Sequence, residues 1–394
     1  MARGGWHGYR QLSSYATMKQ QLLARDTFLS AAFRMLPLFP ALGESFDHMR
    51  VCIIHQMASE DESALIEEDL TTSALNLLEM VLSSSEAACH EVVAPRNFSL
   101  WARFRKILLG NRNFQAQSAC LVVLQLVTLE NVGPSEAETL LARYDLLTVL
   151  FEHLGFHQPE EVTTEILRSI ELLCAVPSQA FKRSVDVGMA NLLAVAGRAV
   201  HDGHSNLLLQ WYRCIECLLH PSRNGVRDID SVAEAAALGL TYHHDPEVLE
   251  SCWHALLVIL NDTERRSIKA EAAMYQSLKM LKVCERSVIA HEGAMLNFLA
   301  CLSTILDRYE PTSELCQEVL QGIKDSVVPR VMESSGGVSL ATFGGLMGIL
   351  GLAFSKEPTF GKGYAEAALR SGSLGTCSEE MDDASTANIL IPEH

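Results

Sequence analysis

Proline is scarce in this chain, twelve in 394 residues, and charged residues make up only 20% of it. With so few breakers and charges, and with 48% apolar residues, the composition excludes disorder everywhere except at the ends. Basic residues are outnumbered, 31 against 48 acids, for a net charge of −17. That balance repels nucleic-acid phosphates and anionic membranes, so nucleic acid is not an expected partner and a membrane role is disfavoured. No alternating period-2 run or hairpin signal is present. The chain also lacks a G-x-S-x-G elbow, a phosphate-cradling glycine loop and an H-E-x-x-H pair. The expectation is no catalytic residue, no cofactor and no metal. The opening residues show no secretory-signal pattern, so secretion is not expected. Residues 1–25 hold Arg3, Arg10, Lys19 and Arg25 without an acid, a weak likeness to a mitochondrial presequence. Eleven cysteines is an odd number for a disulfide framework, and Cys120, Cys174, Cys252 and Cys301 lie in apolar helical runs. Free thiols used as small hydrophobes fit a reducing compartment, so the location expected is cytoplasmic, with mitochondrial or nuclear as alternatives.

What is present is a repeating apolar signature. It reads Leu29/Phe33/Leu36, Ala74/Leu78/Val81, Ala119/Val123/Leu126, Ile166/Ile170/Leu173, Trp211/Ile215/Leu218, Trp253/Leu257/Leu260, Phe298/Leu302/Ile305 and Phe343/Met347/Leu350. Offsets of 0, +4 and +7 mark one face of an α-helix. Successive copies are 45, 45, 47, 45, 42, 45 and 45 residues apart. A fixed step of this size predicts an array of helical repeats that stack their faces into one core.

Breaks precede the signature helices from the third copy onward: Gly110-Asn111-Arg112, Gly155 with Gln158-Pro159, Asp202-Gly203, His244-Asp245-Pro246, Glu292-Gly293 and Gly336-Gly337. Asp245-Pro246-Glu247 supplies an N-cap, an N1 proline and an early acid. Looser loops follow at 130–134, 221–225 and 309–312. Helices Trp101–Leu109, Glu138–Leu154, Ala190–Val200 and Ser231–Leu240 fit in the remaining space. The predicted organisation is a helical domain over residues 1–371, with repeats centred near 33, 78, 123, 170, 215, 257, 302 and 347. A tail at 372–394, without Lys or Arg and with five acids, is expected to be disordered.

This pattern resembles the armadillo/HEAT class of repeats over roughly residues 15–370. Val248-Leu-Glu-Ser-Cys-Trp253-His-Ala-Leu-Leu257 is similar to the last helix of an armadillo repeat. The resemblance implies an all-α, right-handed α-solenoid of about eight repeats with a concave groove. In the nuclear-import adaptors of that class, an Asn four residues after the Trp helps grip basic peptides. Here those positions are Ile215 and Leu257, which argues against nuclear-localisation-signal binding and for Trp211 and Trp253 as core residues.

Opposite the signature, at offsets −1, +2 and +5, lie Ser73, Asn76 and Glu79, then Glu165, Arg168 and Glu171, then Gln210, Arg213 and Glu216. Equivalent positions in stacked repeats form ladders, so Asn76, Glu79, Arg168, Glu171, Arg213, Glu216 and Asn297 are the candidate partner-binding residues. Residues 51–95 hold nine acids and no base, whereas residues 96–113 hold Arg96, Arg103, Arg105, Lys106 and Arg112 without an acid. Arg96, Arg103, Arg105 and Lys106, with Phe98, Trp101 and Phe104 interleaved, make a candidate basic patch for an acidic peptide or phosphate. Of His201, His204, His243 and His244, His201 and His243 fall at equivalent places in neighbouring copies, but no thiol or carboxylate is spaced to complete a zinc site.

The eighth copy is uncharged from residue 334 to residue 355, and its phase points Gly345, Gly348 and Gly351 outward. Three readings stand: a helix covered by a final helix at Gly363–Arg370, a docking face, or a bilayer segment. The function expected from all this is a non-enzymatic scaffold that binds a protein or extended peptide along the groove. The alternatives are a structural subunit of a large assembly and a helical-repeat regulator or nucleotide-exchange factor of a GTPase.

Overall fold

The computed structural model describes residues 75–76, 78–79, 82–83, 104–108, 114–129, 146–156, 158–174, 179–220, 226–262, 264–333, 338–357 and 360. Among them all regular structure is helical, with no strand. The helices with defined bounds are α1 (Phe114–Leu129), α2 (Leu146–His153), α3 (Glu160–Cys174), α4 (Gln179–Asp202), α5 (Ser205–Leu219), α6 (Ile229–Ala237), α7 (Pro246–Leu260), α8 (Ile268–Met280), α9 (Arg286–Ala290), α10 (Glu292–Arg308), α11 (Glu314–Gly322), α12 (Val328–Glu333) and α13 (Leu340–Lys356). A 3₁₀ turn, Leu238–Thr241, continues α6, and a π turn, Ile323–Val327, joins α11 to α12. The first signature copy, the loops at 130–134 and 221–225, Gly336-Gly337, the final helix and the tail lie outside the described residues.

Several helix starts carry the chemistry that a start requires. The Asp245 carboxylate accepts from the Glu247 and Val248 amides at 3.1 and 3.3 Å, with Pro246 in the first turn. Ser267, Ser313 and Ser339 cap α8, α11 and α13, accepting from Ala270, Cys316 and Thr342. Each satisfies one amide that the helix itself leaves open. Gly203 ends α4 with a positive φ of 77°, a conformation that favours glycine. The break expected at Glu292-Gly293 sits one residue earlier: His291 is the cap, and Gly293 lies inside the first turn of α10.

The chain divides into two compact units, Met1–Val195 with Arg213–Arg227, and Ala196–Tyr212 with Asp228–His394. In the first, Leu78, Val123, Ile166, Ile170, Leu173, Ile215 and Leu218 are buried, all of them signature positions. The Gln117 amide donates to the Leu108 carbonyl at 3.5 Å, and the Asn191 amide to the Phe151 carbonyl at 3.1 Å. Gly188 on α4 lies so close to Phe151 on α2 that an added Cβ would collide with the ring.

In the second unit α7 packs on α10 and α10 on α13. Trp253 and Phe298 meet at 4.9 Å between ring centroids. Trp211 and Trp253 are fully buried, as the missing Asn suggested. A set of hydrogen bonds ties the stacked helices. The Cys301 thiol donates to the Trp253 carbonyl, the Asn297 amide to the Glu250 carbonyl, and the Thr304 hydroxyl to the Asn261 side-chain oxygen. The Lys356 ammonium donates to the Asp307 carbonyl. Their partners are 48, 47, 43 and 49 positions apart, the same range as the step of the sequence signature.

Not every signature position is core. Leu126 is half-buried. So is Leu257, and Leu256 beside it is buried instead, because α7 buries a wide face that includes Val248, Leu249, Cys252, Ala255 and Ile259. In the eighth copy Phe343 and Met347 are exposed, and Thr342, Leu346, Ile349, Leu350 and Ala353 face the core. The phase is set by Gly345, which does not point outward as the pattern predicts. Its bare Cα faces α10, where a Cβ would lie 3.2 Å from Leu299 and 3.4 Å from Leu296. Close approach of backbone to side chain turns the helix by about one residue from the apolar pattern. Among the described residues no helix is long and apolar enough to cross a membrane.

Candidate functional site

In the first unit the polar positions of three helical segments come together. Gln125 stands in α1, in a turn that is otherwise apolar, and is buried. Its amide donates to the Glu165 carboxylate at 2.6 Å, to the Glu165 carbonyl at 3.3 Å and to the Ser169 hydroxyl at 3.2 Å. Ser169 in turn donates to the Glu165 carbonyl at 2.8 Å. This fixes Glu165 at the N-terminal half of α3, where it is half-buried.

Glu79 approaches the same carboxylate from the helical stretch around residues 75–83. Partial burial, and then the charge of Glu165, hold its carboxyl above the usual carboxylate range. Two acids from segments 86 positions apart therefore share one partly dried neighbourhood. Of the other candidate residues in this unit, Asn76, Arg168 and Arg213 are exposed, and Glu171 and Glu216 are half-buried. The charge of Glu171 acts on the buried Cys214 thiol, so α3 and the Arg213–Leu219 part of α5 lie near one another. The exposed charges of both signs on these segments can pair with a partner of mixed charge. The carboxylate pair in particular suits a Lys or Arg side chain.

Asn297 is set apart from these residues. It lies in the second unit, half-buried, and its amide is occupied by the Glu250 carbonyl at 3.2 Å. Of the basic patch, Arg105 and Lys106 are exposed on the helical residues 104–108, whereas Phe104 is buried. Phe104 is thus core and not an interleaved surface ring. Arg96, Arg103, Phe98 and Trp101 lie outside the described residues. Gln210, from the predicted ladder, is buried.

In the second unit His243 and His244 stack edge to face at 5.5 Å, and Tyr242 lies 6.0 Å from His244. Among the described residues no group of three or more His, Cys, Asp or Glu is placed to hold a metal ion. The eight described cysteines are free, seven of them buried.

Gln125 and Ser169 were not among the residues singled out in the sequence. The available signal was a lone glutamine in the run Cys120-Leu-Val-Val-Leu-Gln125-Leu-Val, since a polar side chain there must find a partner.

No protein-family model matches this sequence. No curated protein matches it either. Among solved structures, the chain is similar to an engineered protein whose crystal structure came from a structural genomics consortium. The TM-score is 0.56 at 15% identity, covering 85% of this chain and 74% of that one. At that identity the likeness concerns the fold alone.

Proposed function

We propose that this protein is a non-enzymatic, cytoplasmic interaction scaffold of the armadillo/HEAT kind, and that it binds a protein or extended peptide carrying basic side chains. The observation that carries this reading is the approach of Glu79 to Glu165, with Gln125 holding the second carboxylate in place. Partial burial, and then the nearby charge of Glu165, raise the cost of charging Glu79. A partner cation relieves that cost. Asn76, Arg168 and Arg213 are exposed and available to a partner in the same unit.

The repeat reading is supported by the hydrogen bonds between residues 43 to 49 positions apart in the second unit. A repeat protein contacts itself at about one repeat length, which is what a bonded spacing near the signature step reflects. The free cysteines suit the reducing cytoplasm.

The test is affinity purification followed by measured binding of whichever partner is found. Glu79→Lys should weaken the partner at least tenfold, about 1.4 kcal/mol, and charge reversal at Arg168 and Arg213 should change its affinity, while thermal melting stays within a few degrees. Affinity indifferent to all three changes would sink the proposal.

A further inference from the structure

At the start of α10 one nitrogen faces two partners. The Nδ1 of His291 accepts from the Ala294 amide at 3.3 Å and so caps the helix. The same Nδ1 lies 3.3 Å from a carboxylate oxygen of Glu250 on α7. These two contacts exclude one another. An amide N–H needs the lone pair of Nδ1, whereas a carboxylate needs a proton there. One proton on one atom therefore decides which contact is made.

The packing holds the carboxylate beside that choice. Glu250 rests against the bare Cα of Gly293, the second residue of α10, where an added Cβ would collide with both carboxylate oxygens. Glycine at 293 is what makes room for it. The Glu250 backbone is fixed as well, because its carbonyl accepts from the Asn297 amide at 3.2 Å, one turn further along α10. A carboxylate over the first turn of a helix is favoured by the open amides and the dipole there. Both His291 and Glu250 are half-buried, so water reaches the pair and can deliver a proton. Ala294 is fully buried, so its amide meets solvent only when the start of the helix loosens.

Helices α7, α9 and α10 meet around the ring. Their charged and titratable groups at this corner are Glu247, Glu250 and His254 on α7, Glu285 and Arg286 at the start of α9, and Glu292 on α10. Among the described residues only Glu250 comes within ion-pair distance of the His291 ring.

We propose that His291 is a pH-operated cap. Neutral, with its proton on Nε2, it holds the first turn of α10. Protonated, Nδ1 donates to Glu250, and the Ala294 amide loses its acceptor. Imidazole is the side chain whose charge ordinarily changes between about pH 5 and 8. Acidification within that range moves one contact from inside α10 to the seam between α7 and α10. The helix start loosens while the helix pair gains an ion pair.

Gly293-Ala294 is the one Gly-Ala pair in the sequence, so the full chain labelled with carbon-13 at the glycine carbonyl and nitrogen-15 at the alanine amide shows the Ala294 signal alone. Its hydrogen-exchange protection, corrected for the intrinsic effect of pH, should fall at least tenfold between about pH 7.5 and 5.5. His291→Asn keeps a capping oxygen but cannot titrate, so there the protection should stay level. Glu250→Gln removes the carboxylate that receives the proton, so at about pH 5.5 it should retain at least threefold more protection than the unmodified chain. In nitrogen-15 spectra of the imidazoles, the signals lost in His291→Asn should show the proton on Nε2 at about pH 7.5 and on both nitrogens at about pH 5.5. Level protection in the unmodified chain, a fall that persists in His291→Asn, no gain in Glu250→Gln, or a neutral His291 with its proton on Nδ1 would each overturn the proposal.

Discussion

The indole N–H of Trp253 donates to the hydroxyl of Ser277 at 3.1 Å, and both side chains are fully buried. Ser277 passes the bond on to the Ala273 carbonyl at 2.9 Å. The largest side chain of α7 is thereby pinned to the interior of α8. Ser277→Ala leaves the indole N–H without a partner in a dry core and should cost about 1–3 kcal/mol. Trp253→Phe removes the donor, so the same serine change made on that background should cost less. A thermal or denaturant double-mutant cycle that came out additive would show that the bond contributes nothing.

Gly188→Ala drives a methyl group into the Phe151 ring, whose rigid atoms cannot swing aside. Overpacking of this kind costs about 1–3 kcal/mol. Adding Phe151→Leu should recover part of the loss. Urea midpoints of the two variants decide it.

His153 is 1% exposed, and neither ring nitrogen has a hydrogen-bond partner. Burial lowers its pKa below 6.5, so the folded state holds it neutral. Above about pH 6.5 the folded and unfolded chains carry the same charge there, and stability is unaffected. As pH falls from 6.5 toward the lowered folded value, the unfolded chain takes up a proton that the folded chain refuses, and stability declines. Melting points measured between about pH 7.5 and 5.5 should drop, and the drop should shrink in His153→Gln.

Glu79 behaves in the opposite sense. Its raised pKa means that the folded state holds the proton more tightly than the unfolded state. Above the folded value the charged carboxylate is a penalty, and that penalty is relieved as pH falls through the folded value toward 4.5. Glu79→Gln should therefore raise the melting point at about pH 7 and make little difference near pH 4. An unchanged melting point at neutral pH would mean that neither burial nor the Glu165 charge penalises the Glu79 carboxylate.

The core was legible wherever a signature residue was large and its neighbours were ordinary. Trp211, Ile215, Ile166, Ile170 and Phe298 could be placed because a 3.6-residue period with bulky members allows one inward direction. Asp245-Pro246 could be placed because cap chemistry is local. The eighth copy was not legible in the same way. An apolar helix rich in glycine has no polar side to orient it, and its rotation depends on which glycine a neighbour approaches. Leu299 and Leu296 on α10 choose Gly345, and no periodicity within α13 records that. The seam around Glu79 and Glu165 was half legible. The ladder positions include Glu79 and Glu165, yet the glutamine that holds Glu165 comes from a position one step off the ladder.

The thiols scattered through both units have a use of their own. Burial pushes Cys252 up to about 12 and Cys284 to about 11, and it holds Cys214 and Cys301 well above the ordinary thiol value. Alkylating reagents attack thiolates, so in the closed protein near neutral pH these positions are chemically silent. Each reacts only when its surroundings open. The chain thus carries its own set of clocks. The labelling rate at Cys120, Cys174 or Cys214 reports how often the first unit opens, and the rate at Cys252, Cys301 or Cys316 does so for the second.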